Sequence, residues 1–194
     1  QLRVLGADHP GTLMTRHNLL TVTPPTGTEA VAQFEALLAD RARVLGPDHP
    51  NTLDTRYSLA IALEESGRVD EAVTRLEGLV TDRTRVLGRD HPDTLTTREM
   101  LAVAYAESGR EEDAVAQLEM LLADRMRVLG SEHSDTLANR HNLAWALAGV
   151  GRLDESLAQH EALLADRTRL RGADHPDTLT SRQGVSWAPG YFTP

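Results

Sequence analysis

RVLGRDHPDTLTTREMLAVAYAESGREEDAVAQLEMLLADRM, residues 85–126, is one copy of a block that this chain writes nearly five times. Arg43-Val44-Leu45-Gly46, Arg85-Val86-Leu87-Gly88 and Arg127-Val128-Leu129-Gly130 stand 42 residues apart, and Arg169-Leu170-Arg171-Gly172 follows at the same step. A further copy, Arg3-Val4-Leu5-Gly6, begins 40 residues before the second. A fixed period of this length marks stacked units, none of which can bury its apolar face alone.

Read physically, the quoted block is a helical hairpin. Pro92 suits the first position of a helix, where a backbone N–H would be unpaired anyway. From about Pro92 to Ser108 the apolar residues Leu95, Leu101, Ala102 and Tyr105 recur at helical intervals, and Gly109 supplies the left-handed conformation that ends a helix. A second helix is predicted from about Glu111 to Leu129, with the stripe Ala114, Val115, Leu118, Leu121, Leu122, Met126 and Leu129. The short connection Ser108-Gly109-Arg110 makes the two helices antiparallel. Gly67 and Gly151 mark the same turn in the neighbouring copies. A small residue recurs in the second helix (Ala30, Ala72, Ala114, Ser156), followed at i+4 by Phe34, Leu76, Leu118 and His160 and at i+7 by Leu37, Leu79, Leu121 and Leu163. Small followed by large lets helices approach and interlock.

Composition agrees with this reading. Hydrophobic residues make up 40% of the chain and aromatic ones only 4%, so the core is built from Leu, Val and Ala and suits helices rather than a sandwich. There is no cysteine, which removes disulfides and thiolate metal sites. The net charge is −9 with both signs interleaved, so no cationic stripe offers itself to phosphates, and nucleic-acid binding is not expected. No apolar run is long enough to span a membrane and no leader opens the chain, which predicts a cytoplasmic protein without a membrane partner. Because Gln1 falls inside a repeat, the chain is expected to be a piece of a longer protein.

The turn glycine Gly109, Ala114 five residues on, and the Leu101/Ala102/Tyr105 set resemble the tetratricopeptide repeat. The longer second helix and the linker of the form L-G-x-D-H-P are similar to the 42-residue variant of kinesin light chain and of many bacterial repeat proteins, some attached to signalling NTPases. The resemblance covers roughly residues 1–187. It implies an all-α, right-handed superhelical solenoid of antiparallel hairpins, in which the first helices line a concave, peptide-binding groove. The domain reading is a single array over 1–187, with repeats at about 3–42 (degenerate), 43–84, 85–126, 127–168 and a half repeat 169–187, then an irregular tail 188–194.

Carried onto this chain, the resemblance places His17, Tyr57, Glu99 and His141 in the groove, then Thr21, Ile61, Val103 and Trp145, with Glu64, Glu65, Ala106 and Glu107 towards the helix ends. The family's backbone-holding asparagine falls on Asn18, Ser58, Met100 and Asn142, so two copies keep it. The predicted groove set is His17, Tyr57, Ile61, Glu64, Glu99, Val103, His141, Asn142 and Trp145. Its acidic-to-neutral character points to a basic or apolar peptide. Trp187 falls at the position of Trp145 one repeat on, and reads either as a groove anchor or as a cover for the array end.

Three recurrent features are read as structural. The linker histidines His9, His49, His91, His133 and His175 are too far apart on successive hairpins to share one ion, and are placed at helix starts. Arg16, Arg56, Arg98, Arg140 and Arg182 sit one residue before the groove positions, and their heads are expected to pair with neighbouring acids. Asp-to-Arg pairs such as Asp82/Arg85 are exposed i,i+3 pairs without chemistry. No nucleophile motif, zinc motif or phosphate loop is present, so no enzyme, metal or cofactor is expected. Pro24-Pro25 should end the first helix near Val22, and Pro189-Gly190 should end the last one after Trp187. Exposed apolar ends make a weak homodimer through the array ends a further expectation. The role this reading predicts is a non-catalytic protein–protein interaction module. The alternatives are a self-assembling scaffold segment and the sensor arm of a larger signalling NTPase.

Overall fold

The computed structural model describes residues 5–23 and 25–187. The described residues form nine helices and no strand: α1 (Pro10–Val22), α2 (Thr28–Leu45), α3 (Pro50–Glu65), α4 (Val69–Leu87), α5 (Pro92–Glu107), α6 (Glu111–Leu129), α7 (Ser134–Gly149), α8 (Leu153–Arg171) and α9 (Pro176–Trp187). The chain packs as two compact units, Gln1–Ala104 and Tyr105–Pro194. The predicted second helix of the quoted block has the bounds read from its sequence, and α1 stops at Val22 as Pro24-Pro25 requires. The expected tail 188–194 and the side chain of Trp187 lie outside the described residues.

The first helices all start by the same local chemistry. The five linker histidines cap the first helices: Nδ1 of His9 accepts from the backbone N–H of Gly11 at 3.0 Å, and His49, His91, His133 and His175 do the same two residues on at 3.2 Å. An imidazole acceptor thus satisfies one of the unpaired donors at a helix start, the role usually taken by Ser or Asp. At the hairpin turn Gly109 sits at φ +77°, a conformation that a Cβ would strain. The N–H of Arg110 then closes back onto the carbonyl of Tyr105.

In the first unit α2 packs on α1 and α3, and α4 packs on α3. Leu13, Val31, Phe34, Leu37, Leu59, Leu63 and Ala72 share one core there. In the second unit α7 packs on α6 and α8, and α9 on α8. The small row is buried throughout, as is the large row of Phe34, Leu76, Leu118 and His160. Where Ser156 replaces alanine, its hydroxyl donates to the carbonyl of Ala144 at 2.7 Å, so the polar atom is not orphaned.

The last turn of each second helix departs from the sequence reading. Met126 is 48% exposed, and the buried residue beside it is Arg125. The same holds for Arg41, Arg83 and Arg167, all buried. Each donates to the backbone carbonyl ten residues ahead, at Asn51, Asp93, Asp135 or Asp177. Arg41, Arg83 and Arg167 also bond the hydroxyl of Thr55, Thr97 or Ser181. A guanidinium with its several donors fits this cluster of acceptors, adding a charged donor to carbonyls of Asn51, Asp93 and Asp177 that also accept from the hydroxyl four residues on. The recurring Asp-Arg pair (Asp40-Arg41, Asp82-Arg83, Asp124-Arg125, Asp166-Arg167) was its signal in the sequence.

Candidate binding faces

The predicted ligand-binding residues divide between the two units. Six fall in the first: His17 on α1, Tyr57, Ile61 and Glu64 on α3, Glu99 and Val103 on α5, every one half-buried. The Tyr57 ring lies under the Arg83 guanidinium, 5.4 Å from carbon to ring centroid. Arg83 is fixed there by Asp54 at 2.7 Å and Thr97 at 2.7 Å, so the tyrosine is positioned by the buried-arginine cluster. Burial pushes the Tyr57 phenol up from its ordinary value; Arg83 opposes this, and Glu99 and Glu64 add to it. Those carboxylates therefore share the tyrosine's electrostatic neighbourhood.

His17 sets its ring edge against Phe34, centroids 6.2 Å apart. Burial first, and then Arg41, push its pKa down, so the ring is neutral near pH 7. A cleft of about 240 Å³ opens nearby, with Phe34 and Ile61 among the residues that line it.

In the second unit His141 and Asn142 are half-buried and Trp145 is 37% exposed. The Trp145 indole N–H donates to Nε2 of His141 at 3.2 Å. Both rings stand edge-on to His160, centroids 5.4 and 5.9 Å away. His160 is fully buried and neither of its nitrogens has a hydrogen-bond partner. Gly184 of α9 packs so closely that an added Cβ would come within 2.5 Å of the His160 ring. Burial, with Arg167 nearby, holds the pKa of His160 down, and burial does the same for His141. Sequence reading placed His141 and Trp145 one helical turn apart and His160 in the packing row of the second helix, but did not bring the three rings together.

The arginines preceding these positions are structural where their partners are seen. Arg16 pairs with Asp40 at 2.6 Å, Arg56 with Asp82 at 2.7 Å and Arg140 with Asp166 at 2.6 Å. Each of these aspartates also holds the arginine three residues on: Arg43, Arg85 or Arg169. The pairing keeps the carboxyls of Asp40, Asp82 and Asp166 below the usual range. Among the described residues no three His, Asp or Glu side chains are grouped to hold a metal. No helix of the described residues is long and apolar enough to cross a membrane.

Sequence profiles of the tetratricopeptide repeat match residues 27–78, 67–126 and 136–177. The chain belongs to the tetratricopeptide repeat family. A crystal structure of a kinesin-light-chain-type protein of Podosopora anserina with nearly identical TPR-like repeats is 31% identical. The match covers 91% of this chain and 82% of that one at a TM-score of 0.78, and a point variant of the same protein gives 0.79. BtubC of P. vanneervenii, 16% identical over 94% of this chain and 80% of that one, shares the fold at a TM-score of 0.65. No curated protein sequence matches the chain. The all-α class and the kinesin-light-chain likeness read from the 42-residue period both hold. Tetratricopeptide repeats generally mediate protein–protein interaction, and scaffolds of this fold are generally non-catalytic.

Proposed function

We propose that this protein is a non-catalytic binding module that holds an extended peptide or a partner helix against its first-helix faces. One observation carries this. The groove positions carry aromatic and apolar side chains that stay partly exposed (Tyr57, Ile61, Val103, Trp145), while the Leu, Ala and Val rows of the packed faces are buried. Aromatic side chains left on a surface by a well-packed fold are the usual anchors of an interface. The neighbouring carboxylates Glu64 and Glu99 and the net charge of −9 favour a basic or apolar ligand over an acidic one. Peptide-display selection on the whole chain tests the reading, with Tyr57→Ala and Trp145→Ala as controls. Enriched basic or apolar peptides that bind at least tenfold more weakly to each variant support it. Enrichment indifferent to both changes defeats it.

A second reading, a scaffold segment that associates with copies of itself, has its own support in α1. Leu19 and Val22 are 62% and 78% exposed there, although Leu59, Leu101 and Leu143, at the same place in their helices as Leu19, are buried. A role as sensor arm of a larger signalling NTPase is a special case of the binding module.

A further inference from the structure

The first helix of the first unit stops short, and a pocket lies beside its end. α3 and α7 run for 16 residues, whereas α1 runs for 13. In α3 and α7 the first place of the turn that α1 lacks is held by Leu63 and Leu147, 1% and 2% exposed. The equivalent residue after α1 is Thr23, which is exposed and already outside the helix. Beside this shortened end is the cleft of about 240 Å³.

The lining of the cleft is specific about what it accepts. Phe34 and Ala30 of α2, Leu20 of α1, and Ile61 and Ala62 of α3 give it an apolar lining. Ser58 and Thr21 bring hydroxyls, but both already donate to backbone carbonyls, Ser58 to Asp54 and Thr21 to Asn18. The charged side chain on the lining is Glu65, which is exposed. A dry apolar cavity of about 150 Å³ holds a benzene ring. The cleft therefore has room for one branched or aromatic side chain.

We propose that this cleft receives a single leucine- to phenylalanine-sized side chain of a partner peptide, with a lysine or arginine beside it meeting Glu65. The proposal deepens the peptide-binding reading above and rests on it. Apolar burial supplies the affinity, and Glu65, being exposed, supplies direction and selectivity. His17 adds no competing cation, because burial keeps it neutral beside Phe34. The shortened α1 leaves the cleft open, and the small Ser58 stands where the next repeat carries Met100.

The test uses the full chain, labelled with nitrogen-15, and three capped tetrapeptides at millimolar concentration: Gly-Leu-Lys-Gly, Gly-Leu-Glu-Gly and Gly-Ala-Lys-Gly. Amide shifts are followed by NMR. The Leu-Lys peptide should move the amides of Leu20, Ile61 and Ala62, with at least fivefold weaker binding for the Leu-Glu peptide and no response to the Ala-Lys peptide. Ser58→Met, a side chain the next repeat already carries at that place, should fill the cleft and abolish the response without unfolding the protein. Glu65→Lys, on the surface, should reverse the preference between the Leu-Lys and Leu-Glu peptides. Absence of shifts at those amides, or shifts that survive Ser58→Met, overturns the pocket. If display-selected peptides still depend on Tyr57 in that case, the first-helix binding reading stands while the pocket falls.

Discussion

His160 shows how one side chain can carry a condition-dependent stability. It occupies the place that Phe34, Leu76 and Leu118 fill in the other repeats, and it is as buried as they are, yet it brings two nitrogens without partners. Burial, then Arg167, lowers its pKa in the folded state from the ordinary 6.5. Arg167 on its own helix disfavours a positive charge there; His141 faces it from α7, itself shifted down by burial, Arg167 and His160, and Gly184 is what α9 places against the ring. The folded state thus takes up its proton at lower pH than the unfolded chain. Its contribution is fully present above pH 6.5 and is lost as pH falls from there towards the lowered value. His160→Leu should raise stability by about 1 kcal/mol at pH 7.5, because two unpaired buried polar atoms disappear. It should also flatten the fall in melting temperature between pH 7.5 and 5.5, leaving the remainder to His17 and His141, which are shifted the same way. Parallel melting curves across that range for wild type and variant would remove His160 from this account.

At the scale of the element, helices were legible from the sequence wherever pattern and punctuation agreed. Gly88, Gly109 and Gly130, with Pro92, fixed both helices of the quoted block, and the second came out at Glu111–Leu129 as read. The inward side of the last turn was misread because hydrophobic periodicity has no place for a buried cation, so Met126 was assigned where Arg125 belongs. Binding-face residues were legible as positions on first helices, but not as neighbours. Nothing in the spacing says that Arg83 of α4 supports Tyr57 of α3, or that Trp145 and His141 rest on His160. The buried arginine is the element-scale device, since it ties the end of one hairpin to the start of the next through Asp93 and Thr97. Arg83→Met should cost about 2–3 kcal/mol, because those acceptors and Asp54 lose a charged donor. Arg85→Met, two residues on, breaks exposed pairs to Asp48 and Asp82 and should leave the denaturation midpoint where it is. Chemical denaturation of the two variants side by side checks this, and equal losses would mean that burial is not what gives the arginine its weight.

For the whole molecule, the two readings of function make opposite demands on salt. A chain of net charge −9 repels its own copies, and salt screens that repulsion, so self-association should strengthen as ionic strength rises. Capture of a basic peptide draws on the same charge with the opposite sign and should weaken. The surface available for self-association centres on an exposed leucine: Leu19 of α1 lines a cleft of about 290 Å³ with Arg16, Leu20, Gln33 and Ala36. If the scaffold reading holds, the average mass in sedimentation equilibrium should climb with protein concentration, more steeply in near-molar than in dilute sodium chloride, and Leu19→Asp should return it to the monomer. A mass that stays monomeric at every salt and concentration would dispose of the scaffold. A peptide affinity that falls over the same salt series would then leave the binding module as the reading in which the acidic charge, the half-buried Tyr57, the exposed Trp145 and the open cleft at Phe34 all have a use.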